Sequence, residues 1–343
     1  MESTLLTPST HALCVVESAS NKKKGHTMRC TSPRTVGYQA DGSSLSWSPK
    51  TFSKEYATFQ LPCGKCLSCR LEYARQWAVR CVHESMCHQE NCFITLTYSD
   101  ENLKSDKLQY RDFQLFMKRL RKAFPNKEIG FNAVGEYGDK TKRPHWHAII
   151  FNWQPSDSQY RRSNERGDRI FSSKTLDKLW GLGITEFGSV TFHSAGYVSR
   201  YNAKKLIHGK DQEHDLHPIS KKSNKHAIGK KWLEKYWQDA FNHGEIILAD
   251  GTSTAIPRYY EKWLKENQPE AYLRYVTQTK IRKIEAAQEK AAKEATRAEL
   301  ANHKRRTASL LDGYHRGHEI SRNEINKKIQ QARFKQLQDN LKL

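Results

Sequence analysis

The sequence predicts an α+β fold built on an antiparallel sheet, and three observations carry that prediction. Strand-like runs recur at CFITLTYSD (92–100), FNAVGEYG (131–138), HWHAIIF (145–151) and GITEFGSVTF (183–192), rich in β-branched and aromatic residues. Helical periodicity fills other stretches, most clearly YRDFQLFMKRLRKAF at 110–124. The segment GDKTKRP between the second and third runs is turn-like, so those two strands can pair as a hairpin.

In chain order, residues 1–54 are expected to be flexible: Ser, Thr and Gly abound without periodicity, and NKKKG at 21–25 forms a basic patch. Residues 55–90 read as a cysteine knuckle followed by a helix, in which Leu71, Ala74, Ala78 and Val82 recur at spacings of three and four. The sheet core is expected over 91–210. Within it the helix at 110–124 turns Phe113, Phe116, Leu120 and Phe124 inward, and Pro125 ends it. Residues 154–175 read as a polar surface loop. SAGYVSRYNAKKL suits a helix with Ser194 as N-cap. An extension of the core at 211–265 is mixed and His-rich. Residues 266–343 are mostly helix formers without an apolar seam, which predicts a charged helical or partly disordered tail.

The chain has 343 residues and a net charge of +21, from 58 Lys+Arg against 37 Asp+Glu. That balance points to a polyanionic partner, nucleic acid before an anionic membrane. No run of about 18 apolar residues exists to span a bilayer, and the N-terminus lacks the pattern of a signal peptide. A cytoplasmic location is expected, so the eight cysteines read as thiols or metal ligands rather than a disulfide framework.

In RPHWHAIIF, the spacing of two sends His145 and His147 to one face of a strand and Trp146 to the other. Alone, the pair is either a metal site or two surface imidazoles. Glu136 sits in the preceding strand, and hairpin pairing brings it beside both histidines. One carboxylate and two imidazoles leave several metal positions open, which suits Mg²⁺ or Mn²⁺ completed by a substrate phosphate. Downstream, Tyr197 and Tyr201 in GYVSRYNAKKL are four apart, one above the other on a helix, with Lys204 or Lys205 a turn later. A phenol attacks poorly unless its anion is stabilised, and a lysine there is a plausible activator. The bland alternative is an amphipathic helix burying two rings.

Three thiols at Cys63, Cys66 and Cys69 begin a structural zinc site, with Cys30 as a fourth ligand and Cys81 or His83 as rivals for that place. An iron–sulfur cluster is disfavoured because Arg70-Leu71-Glu72 follows instead of the usual continuation. Unliganded thiols are the remaining reading, and Cys14, Cys87 and Cys92 are assigned no chemistry.

Taken in order, CFITLTYSD, GEYGDKTKRPHWHAIIF and GYVSRYNAKK resemble the three motifs of rolling-circle replication initiators of the HUH endonuclease superfamily. The two-tyrosine form resembles the Microviridae type, and PCGKCLSCR with IPRYYEKWL at 256–264 is similar to gokushovirus initiators. The resemblance covers about residues 28–265. It implies an HUH endonuclease core with a metal-binding strand pair and a tyrosine-bearing helix. The implied metal ligands are Glu136, His145 and His147, and the implied catalytic residues Tyr197, Tyr201 and Lys204, with Lys205 beside the motif position. The implied activity is a strand-specific nick in single-stranded DNA at the replication origin, through a covalent 5′-phosphotyrosine, and later ligation. No P-loop is present, so host helicase and DNA polymerase are the expected partners, in the cytoplasm of a bacterial host. Rival readings are a non-catalytic single-strand-binding or packaging protein, and a plasmid or transposon enzyme with the same chemistry.

Overall fold

A computed structural model describes residues 30–204 except 43, 139, 140, 165 and 166, and residues 218–311 except 226, 249, 250 and 252, with a few helical positions between 325 and 335. They fall into two compact units. One comprises residues 70–240 and 245–263; the other comprises the described residues up to 69, with 241–244 and those from 264 onward.

The smaller sheet, of the second unit, contains β1 (Arg34–Tyr38), β2 (Leu45–Ser46) and β3 (Phe59–Leu61) in antiparallel order β2-β1-β3. It occupies chain expected to be flexible through residue 54. Its strands are two to five residues long and only Val36 and Ser46 are buried in them, so burial writes almost no alternation into the sequence. Helix α1 (Leu67–Ser85) follows the cysteine knuckle, as expected.

A seven-stranded sheet dominates the larger unit, in the order β10-β5-β6-β4-β9-β8-β7 with every pairing antiparallel. In β4 (Asn91–Tyr98), burial alternates strictly, with Cys92, Ile94, Leu96 and Tyr98 inside. Helix α2 (Tyr110–Ala123) covers that face with Phe113, Phe116, Met117 and Leu120. Burying each such side chain contributes about 1.5–3 kcal/mol. Strands β5 (Gly130–Tyr137) and β6 (Pro144–Phe151) form the expected hairpin, and Trp146, Ala148 and Ile150 join the same core.

Residues 154–175 are not a loop. They hold β7 (Gln159–Ser163) and β8 (Arg169–Ser172), a hairpin that extends the sheet, before α3 (Lys174–Trp180). All five residues of β7 are exposed, so no apolar periodicity marked it. The strand expected at 183–192 stops earlier, as β9 (Gly183–Gly188). Gly183 is required there: at φ +153 a Cβ would lie 2.3 Å from the Thr97 carbonyl and the Ser99 amide.

Helix α4 (Phe192–Lys204) starts two residues before Ser194. Thr191 is the cap instead, its Oγ1 accepting from the Ser194 amide at 3.1 Å, while Ser194 Oγ accepts from the Thr191 amide at 2.8 Å. On the opposite sheet face, Ala78 and Cys81 of α1 and Ala195 and Val198 of α4 pack on Val134, Ile149 and Phe151.

The His-rich stretch yields β10 (Ile219–Lys222), an edge strand on β5, then α5 (Lys230–His243), β11 (Ile246–Ile247) and β12 (Ser253–Thr254). Helix α6 (Arg258–Asn267) follows. In the tail, α7 (Pro269–Arg274), one π-helical stretch (Tyr275–Lys280) and α8 (Ile281–Leu311) form the expected helices. Tyr275 meets Phe241 edge-on at 4.9 Å. No helix among the described residues is long and apolar enough to cross a membrane.

Candidate metal centre and tyrosine

The face of the sheet covered by α1 and α4 carries the histidines. The register pairs Glu136 with His145 and Val134 with His147 across β5 and β6, and Thr97 and Thr95 with the same two histidines across β4. Directly paired residues share a face, so Glu136, His145 and His147 converge as the alternation requires. Their ligand atoms lie within 4.8 Å of one another. Glu136 Oε1 is 3.0 Å from His145 Nε2 and 2.9 Å from His147 Nε2.

The outer nitrogens of both rings are engaged. His145 Nδ1 lies 3.0 Å from the Arg143 carbonyl, which can only accept, so that nitrogen bears the proton and Nε2 presents its lone pair. His147 Nδ1 is 3.0 Å from Thr95 Oγ1. Arg143 is itself held by Tyr98, whose carbonyl accepts from its Nε at 3.1 Å and Nη2 at 2.7 Å. Sequence reasoning missed Arg143 and Thr95 as supports. Thr95 was readable as the same-face residue of an adjacent strand; Arg143 acts through its carbonyl, which no sequence signal marks.

Glu136 is 3% exposed. Burial pushes its carboxyl up, but hydrogen bonds from His145 and His147 outweigh that and hold it at about 2. Its second oxygen, Oε2, is buried without a hydrogen-bond partner among the described residues. An ionised, buried carboxylate with an orphaned oxygen beside two imidazole lone pairs is a donor set that fits a divalent cation. Without a shared proton or cation, the lone pairs facing Oε1 would repel it.

Helix α4 brings Tyr197 to this cluster. Its hydroxyl donates to Glu136 Oε1 at 2.9 Å and lies 3.4 Å from His147 Nε2. Its ring stands edge-on to His147 at 4.9 Å and to Phe93 at 6.1 Å. Tyr201 and Lys204 continue the same helix in backbone; Lys205 lies outside the described residues.

In the other unit, Cys30, Cys63, Cys66 and Cys69 gather their sulfurs within 4.8 Å of one another. Cys30, rather than Cys81 or His83, is the fourth member. The amides of Lys65 and Cys66 point at Cys63 Sγ from 3.4 and 3.2 Å, and the Cys63 amide at Cys30 Sγ from 3.3 Å. Burial would raise the Cys66 thiol, yet donors from Cys69 and Thr31 bring it down to about 6, which favours a thiolate ligand. Cys81 is buried against the Asn132 amide, and His83 stacks between Trp232 and Tyr260; both are core residues.

A family model for the replication-associated protein ORF2 matches residues 91–206, the span that holds the triad and the tyrosine helix. Replication-associated protein VP4 of Bdellovibrio phage phiMH2K is 44% identical over 325 residues, covering 92% of this chain and 100% of that protein. Replication-associated protein ORF4 of Chlamydia phage 1 is 33% identical over 61% of this chain and 54% of its own length. Replication-associated protein ORF2 of Spiroplasma virus 4 is 31% identical over 63% of this chain and 71% of its own length. No solved structure matches. The motifs, their order and these relatives together place the chain in the family of phage replication-associated proteins, the Microviridae-type rolling-circle initiators.

Proposed function

We propose that this initiator is a metal-dependent, strand-specific endonuclease and ligase of the HUH type, acting on single-stranded origin DNA inside the host bacterium. The observation that carries the reading is the Tyr197 hydroxyl, 2.9 Å from the carboxylate that the two histidines flank. Glu136, His145 and His147 would hold Mg²⁺ or Mn²⁺, which when bound supplies Lewis-acid polarisation of the scissile phosphate. Tyr197 loses its phenolic proton and attacks phosphorus in line. The bond to the 3′-oxygen breaks, the 3′-hydroxyl leaves, and the 5′-phosphate remains on the tyrosine. Lys204 or Lys205 offsets the charge that develops on phenolate and phosphate. The freed 3′-hydroxyl primes synthesis by host polymerase behind a host helicase. Tyr201 then cuts the regenerated origin, and the 3′-hydroxyl released by that cut attacks the first phosphotyrosine, which restores Tyr197 and closes the circle. Bond energy is conserved throughout, so joining needs no ATP. Cys30, Cys63, Cys66 and Cys69 hold a structural Zn²⁺.

Incubating the purified protein with labelled single-stranded origin DNA tests the reading. A denaturant-resistant adduct should form only with divalent metal, and His145→Ala or His147→Ala should abolish it while DNA affinity persists. Full adduct from either variant in excess chelator would overturn the role given to the histidines.

A further inference from the structure

Away from the triad, the described residues place cations where no carboxylate answers them. Arg80 of α1 is 9% exposed. Its Nε donates to the Ile228 carbonyl at 2.9 Å, and its guanidinium lies 4.2 Å over Trp77 and 4.0 Å over Tyr259. Lys222 of β10 lies 4.5 Å over the same Trp77 ring, and Lys221 lies 5.0 Å over Tyr110. Among the described residues none of these three cations has an acidic partner. Burying positive charge without a counter-ion costs free energy that an anionic ligand would offset. Burial already lowers the Lys222 ammonium to about 8, with Arg80 adding to the shift and Cys81 opposing it.

These residues line one open groove of about 550 Å³ across the edge strand of the sheet. Tyr73 sits at its rim, one turn from Trp77 on α1, edge-on to it at 6.2 Å and 51% exposed. Lys222 pairs with Asn132 in register, on the strand that also carries Glu136. Two same-face steps separate Asn132 from Glu136, roughly 14 Å at ~3.4 Å per residue. The groove therefore begins a few nucleotides' reach from the triad, on the same face.

We propose that this groove seats the single-stranded DNA next to the scissile phosphate, with phosphates on Lys221 and Lys222, Arg80 supplying charge beneath them, and a base stacked on Tyr73. The inference rests on the nuclease reading for its substrate. Trp77 holds the two cations in place rather than stacking on a base. A single strand fits better than a duplex, because a half-exposed ring can pair only with a base face that is free.

Fluorescence anisotropy of the full-length protein with a labelled oligo-dT strand reads the groove separately from the chemistry. Tyr73→Ala should weaken single-strand binding roughly fivefold or more, and leave duplex binding unchanged. Lys221→Ala, an exposed change, should lower the log–log salt slope by about 0.7, and the Lys221→Ala/Lys222→Ala pair by about twice that. Wild-type affinity and slope in variants with unchanged melting temperature would overturn the proposal, as would equal losses on single strand and duplex for Tyr73→Ala. Origin adduct formation is scored alongside. Weakened binding in the variants with no adduct from wild type would support the groove and refute the nuclease reading. Wild-type adduct with unaltered binding in the variants would refute the groove alone.

Discussion

Tyr197→Phe separates chemistry from packing, because the structure assigns the two to different atoms. The ring contacts His147 and Phe93, and phenylalanine keeps both. The hydroxyl contributes one hydrogen bond to an ionised carboxylate, worth about 1.5–3 kcal/mol in general. Glu136 Oε1 retains both imidazoles after the change, so no new orphan is created and the low end applies. A cost of about 1.5 kcal/mol corresponds to a fall in Tm of roughly 3–6 °C for a protein of this size. The chemical effect is of another order. With Tyr201 one turn away, about 6 Å along the axis, a single cut and a single adduct should survive at reduced rate, now on Tyr201, while repeated rounds fail. Tyr197→Phe/Tyr201→Phe should form no adduct yet still bind Mn²⁺ and DNA. Denaturing gels with labelled DNA and peptide mapping read the adduct, and thermal melting reads stability. An adduct on any other residue of the double variant, or full multi-round activity in either single variant, would refute the paired-nucleophile reasoning.

Thr95→Val should loosen His147 by removing the hydroxyl beside its Nδ1, lowering Mn²⁺ affinity roughly 10- to 100-fold in calorimetry with little change in DNA binding. Replacing Cys30, Cys63, Cys66 and Cys69 by Ser should reduce the yield of folded protein and remove zinc from elemental analysis; wild-type protein lacking zinc would sink that assignment. The Glu136 carboxyl is held at about 2 against an ordinary 4.5, so the metal-free protein gains about 3 kcal/mol from its ionisation. That gain is complete above pH ~4.5 and is lost as pH falls toward 2. The stability difference between wild type and Glu136→Gln in denaturant titrations should shrink over that window; a constant difference would contradict it.

How much was readable depended on what burial wrote into the chain. β4, α2 and the β5–β6 hairpin each carry one apolar face, and their periodicities gave strand, helix and the convergence of Glu136 with His145 and His147. β7 has no buried side, and four-residue β10 reads ISKK, so neither left a pattern although both extend the sheet. Thr191 and Ser194 are both capping residues, and only backbone geometry decides which one precedes the first turn. Cys30 lies 33 residues before Cys63, a separation that left the fourth thiol open among three candidates until the fold closed it. The groove lysines looked like ordinary solvated charge, because sequence does not report that Trp77 and Arg80 lie beside them.

Trp146 stands between the two histidines, fully buried and stacked on Phe113 at 5.1 Å. The ligand strand is thereby fastened to the hydrophobic core at every second residue. Such a strand has no low-energy way to open by itself, so its amides should exchange with solvent only when the whole unit unfolds. The ligands thus tolerate little adjustment to different substrates, and adaptation to a new origin sequence would have to arise in parts of the protein that meet DNA away from this strand.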